Sequence, residues 1–266
     1  MNNWTQKSVE LANQRNYLDQ LYRVYPLTQN LRRELTKDQI KSISEAFNRR
    51  DNKALISRLL TLELFPIKDS YVAYLKRDKT SIDRNPNTVD RIAGLLHEIG
   101  LDEVIENCSQ PKETNRQIGP LFKQWIDRGT LGVQVYSSPK EFLRSTSNAI
   151  LNASDAEMMK FANEYLGYQR EKGLDFIARF NNKYIVAEAK FLTDFGGHQN
   201  AQFADAISTL VSPFVSPKLK CSVIPIAIMD GVLFIKSNNK LYSYLEDHPD
   251  QVILSALFLR EFLYSL

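Results

Sequence analysis

At 266 residues, 43% hydrophobic and 24% charged, the chain can bury a substantial core and has the composition of an ordinary folded protein. No apolar run approaches the about 20 residues of a membrane span, and the N-terminus lacks the basic and apolar regions of a secretory signal, so an intracellular, cytoplasmic location is expected. A net charge of +3 is short of a strongly basic signature; it neither requires nor excludes a nucleic-acid partner, because a basic cleft can sit on a near-neutral molecule. Cys108 and Cys221 lie far apart, there are three histidines and no C-x-x-C, so a structural zinc has almost no ligands to draw on. Any catalytic metal is therefore expected to be a hard ion held by carboxylates.

In chain order, residues 9–27 carry apolar side chains at three- and four-residue spacings and predict an amphipathic helix. A second helix opens after Thr36 as N-cap, a third spans 52–64, and residues 81–87 form a turn-rich stretch before a helix over 88–99 that Gly100 closes. Another helix is expected from about 114 or 115. The pattern then changes. An extended piece over 132–136 leads to a helix over 139–148, and Ser154 caps the next one, 155–166, whose first turn is acidic. Strands are predicted over 174–180 and 183–191, joined by Asn181 and Asn182, which tolerate the left-handed conformations of a tight hairpin. A helix over 199–211 follows. Residues 223–229 read as a buried strand despite Pro225, Asp230-Gly231 as a turn, 232–236 as a strand and 251–263 as a closing helix. The expected division is a helical N-terminal region, 1–110, ahead of an α/β core, 111–266, with a mixed central sheet flanked by helices.

The chemistry concentrates in the hairpin. Side chains alternate along a strand, so Glu188 and Lys190 share one face while Ile185, Ala187 and Ala189 share the other. On the preceding strand Phe176, Ala178 and Phe180 take the apolar face and leave Asp175 opposite, so a paired register brings Asp175, Glu188 and Lys190 together. Two carboxylates can hold Mg²⁺ through oxygen while several waters stay on the ion, and a lysine can orient water and offset charge developing on phosphorus. A Glu and a Lys at alternate strand positions also occur by chance on many surfaces; here they end a strand otherwise built of Tyr, Ile, Val and Ala, with an acid on the strand before.

Leu174-Asp175-Phe176 followed by Ala187-Glu188-Ala189-Lys190 resembles the PD-(D/E)xK signature of type II restriction endonucleases, with Leu174 where the family often has proline. The likeness extends into residues 191–202, and to 115–125 and 226–232, covering about 111–266. It implies a five-stranded mixed core, Mg²⁺ held by Asp175, Glu188 and the backbone of Ala189, and often a homodimer on palindromic double-stranded DNA. It also implies a further acid on the preceding helix: Glu157 is the first choice, with Asp155 and Glu164 as alternatives, and for each the plain reading is a solvated helix face or a first-turn partner of the helix dipole.

Gly196-Gly197-His198-Gln199 lets backbone N–H groups approach a phosphate at a helix start, and Gly197, His198, Gln199, Asn200 and Gln202 are expected DNA contacts; a simple strand-to-helix turn is the alternative. Arg116, Lys123, Arg170 and Lys172 form one basic group near the core, of which Arg116 and Lys172 are expected to meet DNA. Lys68, Lys76, Arg77, Lys79, Arg84 and Arg91 form another, near Tyr71 and Tyr74. Asp194-Phe195-Gly196 lacks the loops that accompany it in kinases and no phosphate-binding loop is present, so no nucleotide cofactor is expected. The leading expectation is a sequence-specific, Mg²⁺-dependent DNA endonuclease. The alternatives are a repair or junction nuclease, a DNA-binding module without catalysis, and an α/β interaction protein with a coincidental motif.

Overall fold

The computed structural model describes residues 1–26, 32–111, 115–237 and 239–266, and of residues 115 and 116 the backbone alone. The chain divides into two compact units: Met1–Leu27 with Thr114–Leu266, and Thr28–Glu113. The first two helices thus pack with the sheet rather than with the helical unit, which differs from a single N-terminal region over 1–110. Helix α1 (Asn3–Ala12) and helix α2 (Tyr17–Val24) replace the one predicted helix, because Asn16 adopts a left-handed conformation at φ 68° and breaks it.

The second unit contains α3 (Lys37–Asn48), α4 (Asn52–Leu59), α5 (Ser70–Arg77), α6 (Ser81–Arg84), α7 (Pro86–Ile99) and α8 (Leu101–Cys108). Thr36 and Gln39 form the capping box that starts α3, and Asp51 and Asp69 cap α4 and α5. Pro86 sits at the first position of α7, where its missing N–H costs nothing, so this helix starts before Thr88. Leu55, Ile56, Leu59, Ile92, Ala93, Leu96 and Val104 are sealed in one core, which explains why four- and eight-residue helices persist here.

The sheet unit continues with α9 (Asn115–Asp127), β1 (Gln134–Tyr136), α10 (Pro139–Arg144), β2 (Ala149–Leu151) and α11 (Asp155–Phe161), which ends in a π-helical turn, Ala162–Leu166. Then come β3 (Phe176–Phe180), β4 (Lys183–Leu192), α12 (Gly197–Leu210), β5 (Ser222–Gly231), α13 (Lys240–Asp247), β6 (Ile253–Leu254) and α14 (Leu259–Tyr264). Among the described residues six strands form one mixed sheet in the order β1-β2-β3-β4-β5-β6, against the five expected. β3 is antiparallel to β2 and β4, while β1–β2, β4–β5 and β5–β6 are parallel pairs.

Pro225 is accommodated inside β5. The Ala227 N–H donates toward the β6 side, to Val252, so the nitrogen of Pro225, two residues back, faces the same side beyond the reach of β6. Asp230 and Gly231 belong to β5 rather than to a turn, and Val232–Phe234 is a short 3-10 turn rather than a strand. At the β6 edge, α1 supplies the missing partners: Thr5 donates to the Ile253 carbonyl (2.8 Å) and Ser8 accepts from the Ser255 N–H (2.9 Å).

Asp230 is fully buried, and its carboxylate accepts from Tyr25 (2.9 Å), Tyr17 (3.5 Å), Ser255 and the Ala256 N–H (3.2 Å). Burial pushes its pKa up from 3.8 to about 7 against these hydrogen bonds. The folded state then binds more protons than the unfolded state between those values, so this group's contribution is full at low pH and is lost as pH rises through about 7. Asp230→Asn removes the titration. The stability of the unaltered protein relative to this variant should therefore fall from pH 5 to pH 8 in urea denaturation, and an unchanged difference would contradict the account.

Candidate active site

The hairpin forms in the register that alternation predicts. Phe180 pairs with Lys183 and Ala178 with Ile185, while Asn181 and Asn182 both take left-handed conformations, at φ 47° and 62°. The β3–β4 faces separate cleanly. Phe176, Ala178, Phe180, Ile185 and Ala187 enter the core beneath α9 and α14, and Ile177, Tyr184 and Val186 enter a second core with α10 and α11. Asp175, Glu188 and Lys190 lie on this second face, at the end where β3 has stopped and β4 runs on. At the opposite end Arg179, 5% exposed, is held by the carbonyls of Ser147 and Phe142 and by the Tyr184 hydroxyl.

Backbone and side chains lock the three residues together. The Asp175 N–H donates to the Ala187 carbonyl (3.1 Å), and its Oδ2 accepts from the Ala189 N–H (2.9 Å). Lys190 Nζ donates to Asp175 Oδ2 (2.9 Å) and Glu188 Oε2 (2.6 Å), bridging the two acids. Since the Ala189 N–H points toward Asp175, its carbonyl projects from the same edge of the strand. Glu188 is 1% exposed, and burial together with Asp175 raises its pKa to about 7 despite the two lysines nearby. For Lys190 burial disfavours the charge, but Asp175 and Glu188 outweigh it and keep its pKa above the usual lysine range.

Glu188 Oε1 is buried and makes no hydrogen bond. Its neighbour is Lys172 Nζ, 3.2 Å away, which also reaches Asp205 on α12. Lys172 is thus turned toward carboxylates within the fold, not outward as a DNA contact. Asp205 lies beside the candidate site without any mark in the sequence, since nothing in the spacing of α12 singles it out and it meets Lys172 only once α12 docks against β4.

The expected helix acid is placed elsewhere. Glu157 closes the capping box of α11, its Oε2 accepting from the Ser154 N–H (3.1 Å) and hydroxyl (2.5 Å), which lowers its pKa. It forms no hydrogen bond or ion pair with Asp175, Glu188 or Lys190, which corrects the sequence expectation. Ser154→Ala should cost about 1 kcal/mol in urea denaturation through loss of this cap; an unchanged midpoint would show the box to be inert. Asp155 pairs with Lys123 (2.6 Å) and its carbonyl accepts from the Leu174 N–H (3.3 Å), while Glu164 meets Lys218 on the surface at 3.7 Å.

At the start of α12, Gly197, His198 and Asn200 are exposed, and His198 Nε2 lies 3.1 Å from Gln202 Nε2. Gln199 does not join them. It is 5% exposed and spans back to the Thr193 N–H and hydroxyl, both at 3.3 Å, so it shapes the turn after β4. The side chain of Arg116 lies outside the described residues. Several other cations of the two basic groups have partners within their own units: Lys123 with Asp155, Arg170 with Thr209 (3.1 Å), Arg84 with Asp78 and Arg91 with Asp69 (2.8 Å).

Among the described residues no three His, Cys, Asp or Glu side chains converge as a metal site. A hard cation here would draw on Asp175, the unbonded oxygen of Glu188 and the Ala189 carbonyl, with water and phosphate completing the shell, which is the donor set Mg²⁺ favours. The donor chemistry fits the ion. Paired acids bridged by a lysine at a strand end can serve hydrolysis when they hold a metal ion. The chain belongs to the Tsp45I type II restriction enzyme family, whose model matches residues 2–266. It is accordingly a site-specific deoxyribonuclease that acts on double-stranded DNA, and enzymes of this class generally use Mg²⁺. No curated protein and no solved structure matches the chain. Among the described residues no helix is long and apolar enough to cross a membrane.

Proposed function

We propose that phosphodiester hydrolysis takes place at Asp175, Glu188 and Lys190, on a core of the PD-(D/E)xK type, with Mg²⁺ as cofactor. The observation that carries this reading is the pair of acids at the strand end: Lys190 bridges Asp175 and the buried Glu188, and the second Glu188 oxygen, sealed from solvent, faces the ammonium of Lys172 at 3.2 Å, so the pocket is built to place positive charge on that carboxylate. Asp175, Glu188 and the Ala189 carbonyl would hold the ion. When bound, Mg²⁺ supplies Lewis-acid stabilisation of phosphoryl charge and lowers the pKa of water.

The chain's own groups do the rest. Lys190, kept cationic by two acids, orients the attacking water and offsets negative charge building on the phosphate. The Ala189 N–H fixes Asp175 from the backbone, so both acids are mounted on one strand ladder and not on a loop. The exposed start of α12, with Gly197, His198, Asn200 and Gln202, meets the DNA backbone. The reading includes a homodimer on a two-fold symmetric site and a prokaryotic, cytoplasmic setting.

The experiment is digestion of long unmethylated duplex DNA with Mg²⁺ and with EDTA. Discrete fragments with Mg²⁺ alone are expected, and end-sequencing then yields the recognition site. Equal cutting in EDTA would overturn the metal-dependent reading, and a smear would favour a nuclease without sequence preference.

A further inference from the structure

We propose that Lys172 and Asp205 form a movable ion-pair arm that sets the metal affinity of the site: Lys172, shared between Glu188 and Asp205, withdraws wholly to Asp205 when a divalent cation binds at Glu188. The inference rests on the metal-dependent reading above and adds two residues to it. Its basis is an unbroken alternation of charge, Asp175–Lys190–Glu188–Lys172–Asp205, running from the end of β3 across β4 to α12.

The two lysines are held differently. Lys190 donates hydrogen bonds to both of its acids. Lys172 Nζ is buried between its two acids, 3.2 Å from Glu188 Oε1 and in closer contact with Asp205 Oδ2, so its charge is divided between them. An ammonium on a four-carbon stem can shift between two such acids by side-chain rotation alone.

The surroundings permit that shift while fixing the frame. Arg170 donates to Thr209, one turn beyond Asp205, and anchors the segment carrying Lys172 against α12. Phe203, Ala206 and Leu210 bury the inner face of the same helix. Asp205 itself has a side chain 45% exposed, against 2% for Glu188, so it can take the whole charge of Lys172 with water completing its shell.

A cation bound at Glu188 Oε1 would face Lys172 at close range, and like charges there oppose each other. Asp205 gives the ammonium somewhere to go. Without Asp205, Lys172 stays on Glu188 and competes with metal; without Lys172, Asp205 has nothing to remove. The two residues therefore act as one unit, and their effects on metal binding cannot be independent.

The test is calorimetric titration of the full chain with Mn²⁺ and no DNA, using the unaltered protein, Lys172→Gln, Asp205→Asn and the double variant, each checked for an unchanged circular dichroism spectrum. Asp205→Asn is expected to weaken Mn²⁺ binding about tenfold, and Lys172→Gln to tighten it several-fold. The double variant should match Lys172→Gln, and Asp205→Glu should restore the affinity of the unaltered protein. Weakening by Asp205→Asn to the same extent in the Lys172→Gln background would overturn the arm and make Asp205 an independent charge or ligand. Singles that leave affinity unchanged would overturn it too. If the unaltered protein cuts DNA with Mg²⁺ but the four affinities coincide, the arm alone fails; absence of both metal binding and metal-dependent cutting removes the underlying reading with it.

Discussion

Lys190→Ala is expected to lower the single-turnover rate of DNA cleavage by at least about 100-fold, the scale on which a preorganised cationic or hydrogen-bonding group acts on a charged transition state. Affinity for the duplex should stay close to that of the unaltered protein, because Lys190 is only 21% exposed by side chain and is already engaged by two acids. The fold should survive the change. Phe176, Ala178, Ile185 and Ala187 bury the opposite face of the same hairpin and do not depend on Lys190. Quench-flow cleavage beside a filter-binding titration separates the two quantities. Parallel losses in rate and binding would reassign Lys190 to substrate capture, and an unaltered rate would remove it from the reaction.

Gly231→Ala should destabilise the chain by more than about 3 kcal/mol, at the far end of what single substitutions do. Gly231 closes β5 at φ 93° and ψ −142°, a region open almost only to glycine. A Cβ there would also run into the backbone carbonyl of Leu192, its register partner on β4. The glycine N–H donates to the Tyr17 hydroxyl (3.0 Å), which in turn reaches Asp230, so a shift in the backbone disturbs the buried polar network as well. Leu192 lies two residues beyond Lys190, and relief of the clash by movement of β4 would displace the site. Urea denaturation should show a large fall in midpoint and cleavage should fall with it. A midpoint within error of the unaltered protein would contradict the close packing of these two strand ends.

What could be read from the sequence follows the reach of local pattern. The hairpin was legible because alternation over 176–189 sorts side chains onto two faces and Asn181-Asn182 can adopt only a small set of turns. That alone brings Asp175, Glu188 and Lys190 together. Strands β2 and β6, Ala149–Leu151 and Ile253–Leu254, are too short and too uniformly apolar to show a period, and a buried run of that length reads equally as helix. Asp230 and Gly231 have the composition of a turn, yet the Tyr17, Tyr25 and Ser255 hydroxyls make it possible to bury the acid inside a strand. For the same reason Glu157 was misplaced: the spacing Ser154-x-x-Glu157 fits a capping box, and the helix start claims the carboxylate before any site can.

The site beyond the hairpin was hidden by distance. Lys172 looks like a surface cation in the sequence and becomes an inward one only because Gly173 and Leu174 pass close against Asp155, and because α12 presents Asp205. Gln199 looks like a DNA contact among polar neighbours, but the turn after β4 needs its amide for Thr193. Such assignments depend on which side of a docked helix faces the sheet, a property of tertiary packing that one amphipathic helix does not encode alone.

The most direct measurement of the central claim is affinity cleavage of the polypeptide with Fe²⁺ in place of Mg²⁺, using ascorbate and peroxide, with the fragments mapped by mass spectrometry. Cuts beside Asp175 and within Glu188–Lys190, suppressed by excess Mg²⁺, are the result that a metal held between these strands predicts. Cuts confined to other parts of the chain, or a pattern that Mg²⁺ does not suppress, would contradict it.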